Sequence, residues 1–204
     1  SRIYRIEIRR KIYTQTENRF KSRGKGDFGF IMEKCLSTEK IYDGKVVKLR
    51  VDKVSLDDGR TAEREVITHC GGAGVLVVKN GKVLLERQFR YAVNEEIIEI
   101  PAGKRDEGES FYDTAKRELE EETGLIPLNL QKIGEIYPSP AYTSEVIGVF
   151  FADEFKNGHV HFDDTEDLSC FWTDISSALE MVKRGEITDA KTVVALGWYA
   201  LNKL

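Results

Sequence analysis

The segment from Ser110 to Gly124 constrains the fold most, because it contains a helix start, one apolar face and a helix stop. Ser110 is followed three residues later by Asp113, an aspartate version of the capping box, and Gly124 suits a left-handed C-terminal cap. The apolar residues of the segment recur at four-residue spacing and fall on one helix face: Phe111, Ala115 and Leu119. The sequence therefore predicts a helix across this segment.

The same segment carries a concentration of acidic side chains. In a helix, Glu118, Glu121 and Glu122 stand at positions i, i+3 and i+4, with Cβ atoms about 5–6 Å apart, and like charges at that spacing repel one another. Either the carboxylates spread into water, or they surround a cation. Oxygen ligands favour hard ions such as Mg²⁺, so helix geometry leaves a solvated face and a metal site as alternatives.

The rest of the chain is predicted to form short strands followed by two C-terminal helices. The dipeptide Asn80-Gly81 between apolar runs is typical of a hairpin turn, and Asp57-Asp58-Gly59 is typical of another turn. Strands are expected at Ile3–Ile8, Lys45–Val51, 64–68, 75–78, 82–90, 130–137, 146–151 and 168–172, with a loop at Lys21–Asp27. Helices are expected near 175–184 and 189–202, with Asp174 and Thr188 as N-caps.

Composition limits the classes of function. The 204 residues are 32% charged and 41% hydrophobic, which indicates one globular domain, or one domain with an appendage. The longest apolar runs fit buried strands, so we expect a soluble protein with no membrane span. The net charge of −4 argues against a nucleic-acid partner, and the basic excess among residues 1–26 is interpreted as a solvated face or a flexible arm.

The cysteines and the start of the chain are informative about the cellular compartment of the protein. Cys35, Cys70 and Cys170 are widely spaced and form no CxxC pair, so the sequence indicates neither a disulfide framework nor a zinc site. We therefore expect a cytoplasmic protein. The chain begins at Ser1 without a methionine or the apolar run of a signal peptide, which we interpret as a trimmed or engineered terminus.

The acidic helix is part of a longer motif. Residues 103–125 resemble the Nudix signature G-x5-E-x7-R-E-U-x-E-E-x-G-U, where U is apolar, at every fixed position: Gly103, Glu109, Arg117, Glu118, Leu119, Glu121, Glu122, Gly124 and Leu125. The resemblance implies an α/β fold, namely the Nudix α/β/α sandwich with a mixed sheet, here preceded by a β-rich N-terminal region. It also implies hydrolysis of a phosphoanhydride with Mg²⁺, for which Mn²⁺ is a substitute.

The resemblance gives each position of the motif a role. It implies that the metal is held by Glu118, Glu121 and Glu122. The backbone carbonyl of Ala102 is a further ligand in the family. A glycine at Gly103 lets the backbone approach a phosphate or metal closely, and Glu109 with Arg117, about two helical turns apart, can form an ion pair that ties the loop to the helix. Glu120 points elsewhere and is expected to be solvated.

Flanking residues resemble those of ADP-ribose pyrophosphatases and related nucleoside diphosphate sugar hydrolases. The matching stretches are Gln88–Arg90, Glu99–Gly103 and Tyr137–Glu145, and the resemblance covers roughly residues 38–204. It implies that Arg90 holds a substrate phosphate and that Arg64 and Glu65 reach toward the nucleotide. Gly103 and Pro140 are further substrate-site residues on the same ground.

Two parts of the chain depart from the pattern of this branch. In the acidic loop Asp163–Leu168, Glu166 takes the position of a general base or an extra metal ligand, whereas Asp164 replaces an expected glutamate and is one methylene shorter. Near Arg64 the aromatic that stacks on adenine in several relatives is missing. Three tyrosines are alternative candidates for stacking on the base: Tyr42, Tyr91 and Tyr142. His69 is a candidate phosphate contact.

The resemblance implies hydrolysis of ADP-ribose to AMP and ribose 5-phosphate. Alternatives are another nucleoside diphosphate sugar such as GDP-mannose, a non-catalytic ADP-ribose-binding module, and an RNA contact as in cap-hydrolysing relatives. We expect a β-rich region over residues 1–68, of which 1–34 form a flexible or extra element, a hydrolase domain over residues 69–204, and a homodimer.

Overall fold

The structure is a computed structural model that describes residues 33–160 and 168–203. The expected strand Ile3–Ile8, the expected loop Lys21–Asp27, Asp164 and Glu166 lie outside these residues.

The described residues contain twelve strands and three helices. The strands are β1 (Lys34–Asp43), β2 (Lys48–Ser55), β3 (Thr61–Thr68), β4 (Gly72–Lys79), β5 (Lys82–Arg90), β6 (Glu95–Glu99), β7 (Ala102–Lys104), β8 (Leu125–Pro127), β9 (Gln131–Ile136), β10 (Ile147–Ala152), β11 (Phe155–Asn157) and β12 (Leu168–Asp174). The helices are α1 (Phe111–Thr123), α2 (Ile175–Lys183) and α3 (Ala190–Asn202).

A mixed sheet forms the centre of the fold. Its main strand order is β12-β5-β4-β10-β9, and β6 pairs with β5 while β7 pairs with β4. β10 runs parallel to β4, with Ile147 opposite Gly72, and its other neighbour β9 is antiparallel to it. The predicted mixed sheet is confirmed.

Helices cover both faces of this sheet. Along β4, Leu76 and Val78 belong to one buried cluster, which includes Ala178 of α2 and Leu196 of α3. The alternate β4 residues, Ala73, Val75 and Val77, belong to a second cluster with Ala115 and Leu119 of α1. Because successive side chains of a strand point to opposite faces, the sheet lies between two apolar layers, and the predicted α/β/α sandwich is confirmed.

The β4–β5 hairpin forms at the predicted dipeptide. Val78 pairs with Val83 and Lys79 with Lys82, so Asn80 and Gly81 alone make the turn. Their φ angles are 52° and 75°, the left-handed region that a two-residue turn of this type needs. Asparagine and glycine adopt that region at low cost, which explains why this local signal was sufficient.

The N-terminal strands form a separate three-stranded sheet in the order β1-β2-β3. Strand β1 was not predicted, and the expected strand at Lys45–Val51 begins three residues too early. In the structure Gly44 and Val47 close a turn, with Gly44 N–H donating to Val47 O at 2.9 Å, and β2 begins at Lys48. The turn at Gly59 is present, with a φ of 83°.

Two further features differ from the sequence-based expectation. The N-cap of α3 is Asp189 and not Thr188, because the Asp189 carboxylate accepts a hydrogen bond from Thr192 N–H at 2.9 Å. Strands β6, β7, β8 and β11 were not predicted, since each is three to five residues long and is defined by its pairing partner. Among the described residues, no helix is long and apolar enough to cross a membrane.

Truncating a core leucine of α3 tests this packing. Leu196 is fully buried, whereas Leu201 on the same helix is 81% exposed. We expect Leu196→Ala to lower the free energy of unfolding by about 2–5 kcal/mol, because it removes buried methyl groups and leaves a cavity. Leu201→Ala should change it by less than about 0.5 kcal/mol. Urea denaturation of both variants measures the difference, and equal effects would contradict the assigned packing.

Candidate active site

Helix α1 is fixed at both ends by its own sequence. Ser110 Oγ accepts a hydrogen bond from Asp113 N–H at 3.1 Å and donates one to Asp113 Oδ2 at 2.6 Å. At the other end Gly124 has a φ of 68°, and its N–H donates to Glu120 O at 2.8 Å. Both predicted caps are confirmed. The acidic residues therefore stand on a helix whose start, end and buried face are all defined.

Arg117 joins three of the acidic side chains. Its Nε and Nη2 lie 3.0 Å from the two carboxylate oxygens of Glu109. Its Nη1 donates to Glu118 and to Glu121, each at 2.8 Å. Nη2 also donates to the backbone oxygen of Lys104 at 3.1 Å. The expected Glu109–Arg117 pair is therefore present, and the same guanidinium offsets the repulsion between Glu118 and Glu121.

Glu109 holds the loop before the helix in place. Its carboxylate also accepts from Asp106 N–H at 3.1 Å and from Thr114 Oγ1 at 2.8 Å. The hydrogen bonds from Arg117, followed by those from the loop and helix, lower the pKa of Glu109 from 4.5 to about 2 although burial acts in the opposite direction. The carboxylate is therefore ionised across the physiological range of pH.

Glu122 and Gly103 bring the helix against strand β7. Glu122 is 4% exposed, and its Oε2 accepts a hydrogen bond from Ala102 N–H at 2.9 Å. A Cβ on Gly103 would lie 2.0 Å from the Glu118 carboxylate carbon, so only glycine leaves room for that carboxylate in its present position. Two of the acidic residues thus contact the backbone at Ala102 and Gly103.

That backbone also forms one wall of a pocket of about 170 Å³. The lining includes Ala102, Gly103, the start of β4, and several charged or titratable side chains: His69, Arg90, Lys104, Glu145 and Lys191. Cationic groups outnumber the single carboxylate in this lining. The pocket is therefore suited to an anionic group next to the acidic helix.

An ion-pair network at the pocket fixes Arg90. Its Nε and Nη2 lie 2.6 Å and 2.9 Å from the two oxygens of Glu99, and Lys191 Nζ contacts the same carboxylate. Burial raises the pKa of Glu99, but the hydrogen bond from Arg90 and the charge of Lys191 outweigh it and lower that pKa to about 2. Sequence reasoning missed Lys191, because no local pattern connects it to a strand 92 positions earlier.

His69 lies at the edge of the pocket in a defined orientation. Its Nδ1 accepts a hydrogen bond from Gly71 N–H at 3.0 Å and lies 3.4 Å from a carboxylate oxygen of Glu145. Its own backbone N–H donates to Ser144 Oγ at 3.1 Å. Because Nδ1 accepts in this arrangement, Nε2 carries the proton of the neutral ring, so His69 offers a hydrogen-bond donor at that atom.

Comparison with known proteins identifies the family of this chain. The family model described as the NUDIX domain matches residues 68–196, and the model described as the nucleoside diphosphate sugar hydrolase N-terminal domain matches residues 33–67. The chain belongs to the Nudix family.

Characterised relatives carry several names. The chain is 38% identical over 174 residues to an ADP-ribose pyrophosphatase of Bacillus subtilis, covering 84% of this chain and 94% of that protein. It is 36% identical over 174 residues to a methanol dehydrogenase activator of Bacillus methanolicus, with the same coverage. It is 35% identical over 153 residues to a GDP-mannose pyrophosphatase of Shigella flexneri, covering 70% and 80%.

A solved structure supports the fold. The chain superposes on an ADP compounds hydrolase with a TM-score of 0.73 at 19% identity, covering 82% of this chain and 92% of the other. At that level of identity the likeness concerns the fold alone.

The donor set of the Nudix motif suits a hard divalent cation. Nudix hydrolases generally use divalent metal ions. Glu118, Glu121, Glu122 and the Ala102 carbonyl offer oxygen atoms only, which is the ligand chemistry that such ions prefer. Within residues 33–160 and 168–203, however, no three His, Cys, Asp or Glu side chains converge as a metal site. In this arrangement Arg117 donates to Glu118 and Glu121, and Ala102 N–H donates to Glu122.

The structure brings only some of the predicted substrate residues to the pocket. Arg90 and Gly103 line it, whereas Arg64 and Glu65 of β3 are not among the described residues that do so. Pro140 is exposed on the connection between β9 and β10. That connection is tied to β3, since Ile67 N–H donates to Tyr142 O at 2.7 Å and Ser144 N–H donates to Ile67 O at 2.9 Å.

The three candidate stacking tyrosines are all exposed and lie outside the described lining of the pocket: Tyr42, Tyr91 and Tyr142. Asp164 and Glu166 belong to the connection between β11 and β12. Strand β12 begins with Leu168 opposite Gln88, two residues before Arg90 in β5. The predicted base and stacking roles therefore stay predictions.

The depressed pKa of Glu109 predicts how acid affects this site. A carboxylate whose pKa is lower in the folded state stabilises it fully above the unfolded pKa of 4.5, and that stabilisation is lost as pH falls through about 2. We expect Glu109→Gln to lower the free energy of unfolding most above pH 4.5, with the difference from wild type shrinking toward pH 2. Urea titrations at a series of pH values measure it.

The exposed Glu107 in the same loop provides the control. Glu107→Gln should leave the pH dependence of stability unchanged. A difference between wild type and Glu109→Gln that stays constant with pH would contradict the role of the Glu109 charge.

Proposed function

We propose that the protein hydrolyses the diphosphate bond of ADP-ribose to AMP and ribose 5-phosphate with Mg²⁺, for which Mn²⁺ can substitute. The observation that carries the proposal is the contact between the acidic helix and the pocket wall. Glu118 and Glu122 contact the backbone at Gly103 and Ala102, and the pocket that this backbone lines carries Arg90 and Lys191. Carboxylates for a cation and cations for a phosphate thus meet along one short stretch of backbone.

The proposed roles follow the chemistry of phosphoanhydride hydrolysis. A bound divalent cation lowers the pKa of water and neutralises charge on phosphate oxygens. Glu118, Glu121, Glu122 and the Ala102 carbonyl would hold it. Arg90 would bind a phosphate of the substrate, since a guanidinium matches phosphate geometry.

The proton of the attacking water would pass to a carboxylate of the loop before β12. Glu166 is our first assignment for this base and for an extra metal contact, with Asp164 as the alternative. Water oxygen bonds to phosphorus while the bridging P–O bond breaks, and the bridging oxygen leaves with the second phosphate. Arg64, Glu65 and Pro140 stay proposed contacts of the nucleotide.

The choice of ADP-ribose is supported by the relatives from Bacillus subtilis and Mycobacterium tuberculosis that are named ADP-ribose pyrophosphatases, at 38% and 30% identity. GDP-mannose is the second candidate, because the Shigella flexneri relative at 35% identity is named for that substrate. A panel of nucleoside diphosphate sugars, compared by kcat/KM, separates the two. A non-catalytic ADP-ribose-binding module would release no product from any of them.

We further propose a cytoplasmic homodimer with a domain boundary near residue 68. All ten residues of β1 are exposed in the single chain, including Leu36, Ile41 and Tyr42. Apolar side chains on an exposed edge strand favour a second protein surface. Light scattering should give about twice the chain mass of 23.2 kDa. A mass that equals one chain at micromolar concentration would contradict the dimer.

The metal ligands can be tested with a matched pair of substitutions on α1. Glu118→Gln should lower the rate of AMP release from ADP-ribose with Mg²⁺ by about 100-fold or more, because loss of a metal ligand is at least as damaging as loss of a group that orients one. Glu120→Gln should retain activity near that of wild type, since Glu120 lies near Gly158, away from the pocket wall. Product release is measured by chromatography, with a metal-free reaction as control.

Two negative results of this assay would have different meanings. If wild type releases no AMP, the choice of ADP-ribose is wrong. If wild type is active and the two variants lose activity equally, the assigned ligand set is wrong.

A further inference from the structure

Lys191 is a buried lysine at the pocket for which the proposed reaction provides no role. It lies in the first turn of α3, is 7% exposed, and lines the pocket beside Arg90. Lysine is almost never fully buried unless it is paired. Its Nζ contacts the Glu99 carboxylate and lies 3.1 Å from Asp189 Oδ1. Lys191 is therefore a buried cation with two carboxylate partners, and its charge affects the electrostatic potential at the pocket.

Glu99 is shared between two cations. Arg90 binds both of its oxygens, at 2.6 Å and 2.9 Å, and Lys191 contacts the oxygen that the longer of these bonds uses. Bidentate pairing fixes the orientation of the guanidinium. A carboxylate carries one negative charge and cannot neutralise two cations. Glu99 therefore needs both cations only in part, and Asp189, 3.1 Å from Lys191 Nζ, brings the two cations and two carboxylates of this group to a net charge near zero.

Other carboxylates surround Arg90. Glu86 is fully buried and lies opposite Glu99 in the β5–β6 pairing. The hydrogen bonds that Arg90 donates to Glu99, together with the charges of Glu99, Glu86 and Glu122, raise the pKa of Arg90 although burial lowers it. Without Lys191, Arg90 would be the single cation beside these three carboxylates, and the negative net charge of the group would repel a diphosphate more strongly. Lys191 makes the net charge around Arg90 more positive by one unit.

Helix α3 holds Lys191 at this position. The Thr192 hydroxyl oxygen accepts a hydrogen bond from Ile100 N–H at 2.8 Å, next to Glu99 in the chain. Asp189 accepts from Thr192 N–H and from its hydroxyl, which fixes the start of the helix. The backbone next to both partners of the Lys191–Glu99 contact is therefore anchored, which holds the lysine against that carboxylate.

We propose that Lys191 is a positioning residue, which neutralises Glu99 and so leaves the charge of Arg90 available to a phosphate of the substrate. This inference rests on the proposed function, in which Arg90 binds that phosphate. Glu99 orients the guanidinium, and Lys191 prevents the same carboxylate from cancelling its charge.

A charge-removal cycle tests this role. Lys191→Met preserves much of the side-chain volume and removes the charge. We expect it to raise the Kd for ADP-ribose about tenfold. Calorimetry with divalent cations chelated measures this change. Glu99→Gln alone removes the carboxylate charge, and the double variant Glu99→Gln/Lys191→Met should have a Kd within about threefold of that of Glu99→Gln, because Lys191 then has no Glu99 charge to neutralise. Lys183→Met, at an exposed lysine of α2, should bind as wild type does.

The double variant separates electrostatic from structural effects. If Lys191 only supported packing, Lys191→Met would weaken binding equally in the wild-type and the Glu99→Gln backgrounds, and a loss of about tenfold in both would overturn the inference. An unchanged Kd for Lys191→Met would overturn it too. If Lys191→Met does not fold, as judged by circular dichroism, Lys191→Gln replaces it in both measurements, because the amide keeps a donor toward Glu99 without the charge.

Failure of this inference can be told from failure of the proposed function. A wild-type protein that binds ADP-ribose but releases no AMP with Mg²⁺ contradicts the proposed reaction and leaves the binding cycle to be judged by its own result. A wild-type protein that cleaves ADP-ribose, with Kd values that do not follow the cycle, overturns the role of Lys191 alone. A wild-type protein that binds no ADP-ribose overturns the inference as well.

Discussion

The guanidinium of Arg117 is the group on which the acidic helix depends. Helix geometry places Glu118 and Glu121 close together, and sequence reasoning offered water or a cation as the two ways to relieve their repulsion. The structure provides a third, since one nitrogen of Arg117 contacts both carboxylates at 2.8 Å. The protein itself therefore offsets most of the crowding, and a bound metal is not needed to explain why the helix is tolerated.

Arg117 also accounts for the spacing of the motif. Its other two nitrogens bind Glu109 eight positions earlier, so the loop and the helix are joined at a fixed distance. Strand β7 precedes this loop, and in it Gly103 faces the Glu118 carboxylate while Ala102 N–H donates a hydrogen bond to Glu122. Shifting Arg117, Glu118 or Glu122 by one position along the helix would turn its side chain by about 100° and break its contact. The residue spacing of the motif therefore reflects the contacts that its residues make with one another.

Features with local causes could be predicted from the sequence, and features with distant causes could not. The caps of α1, the Asn80-Gly81 turn and the Glu109–Arg117 pair each involve residues a few positions apart. Strand β7 is defined by its pairing with β4 in the central sheet, and β11 by its pairing with β8 in a separate two-stranded sheet. Lys191 contacts Glu99 across 92 positions. The N-cap of α3 is an intermediate case, because Thr188 and Asp189 are both good caps and only the observed hydrogen bond to Thr192 distinguishes them.

The nitrogens of Arg117 bind different carboxylates, and this affects how the site could accept a cation. A cation that draws on Glu118 and Glu121 competes with Nη1 of Arg117 for the same carboxylates, whereas Glu109 is held by Nε and Nη2. Partners of Nη1 can therefore change while the link between loop and helix stays in place. Arg117 offsets the repulsion between Glu118 and Glu121, and a cation that took the place of Nη1 at these carboxylates would leave the bonds from Nε and Nη2 to Glu109 intact.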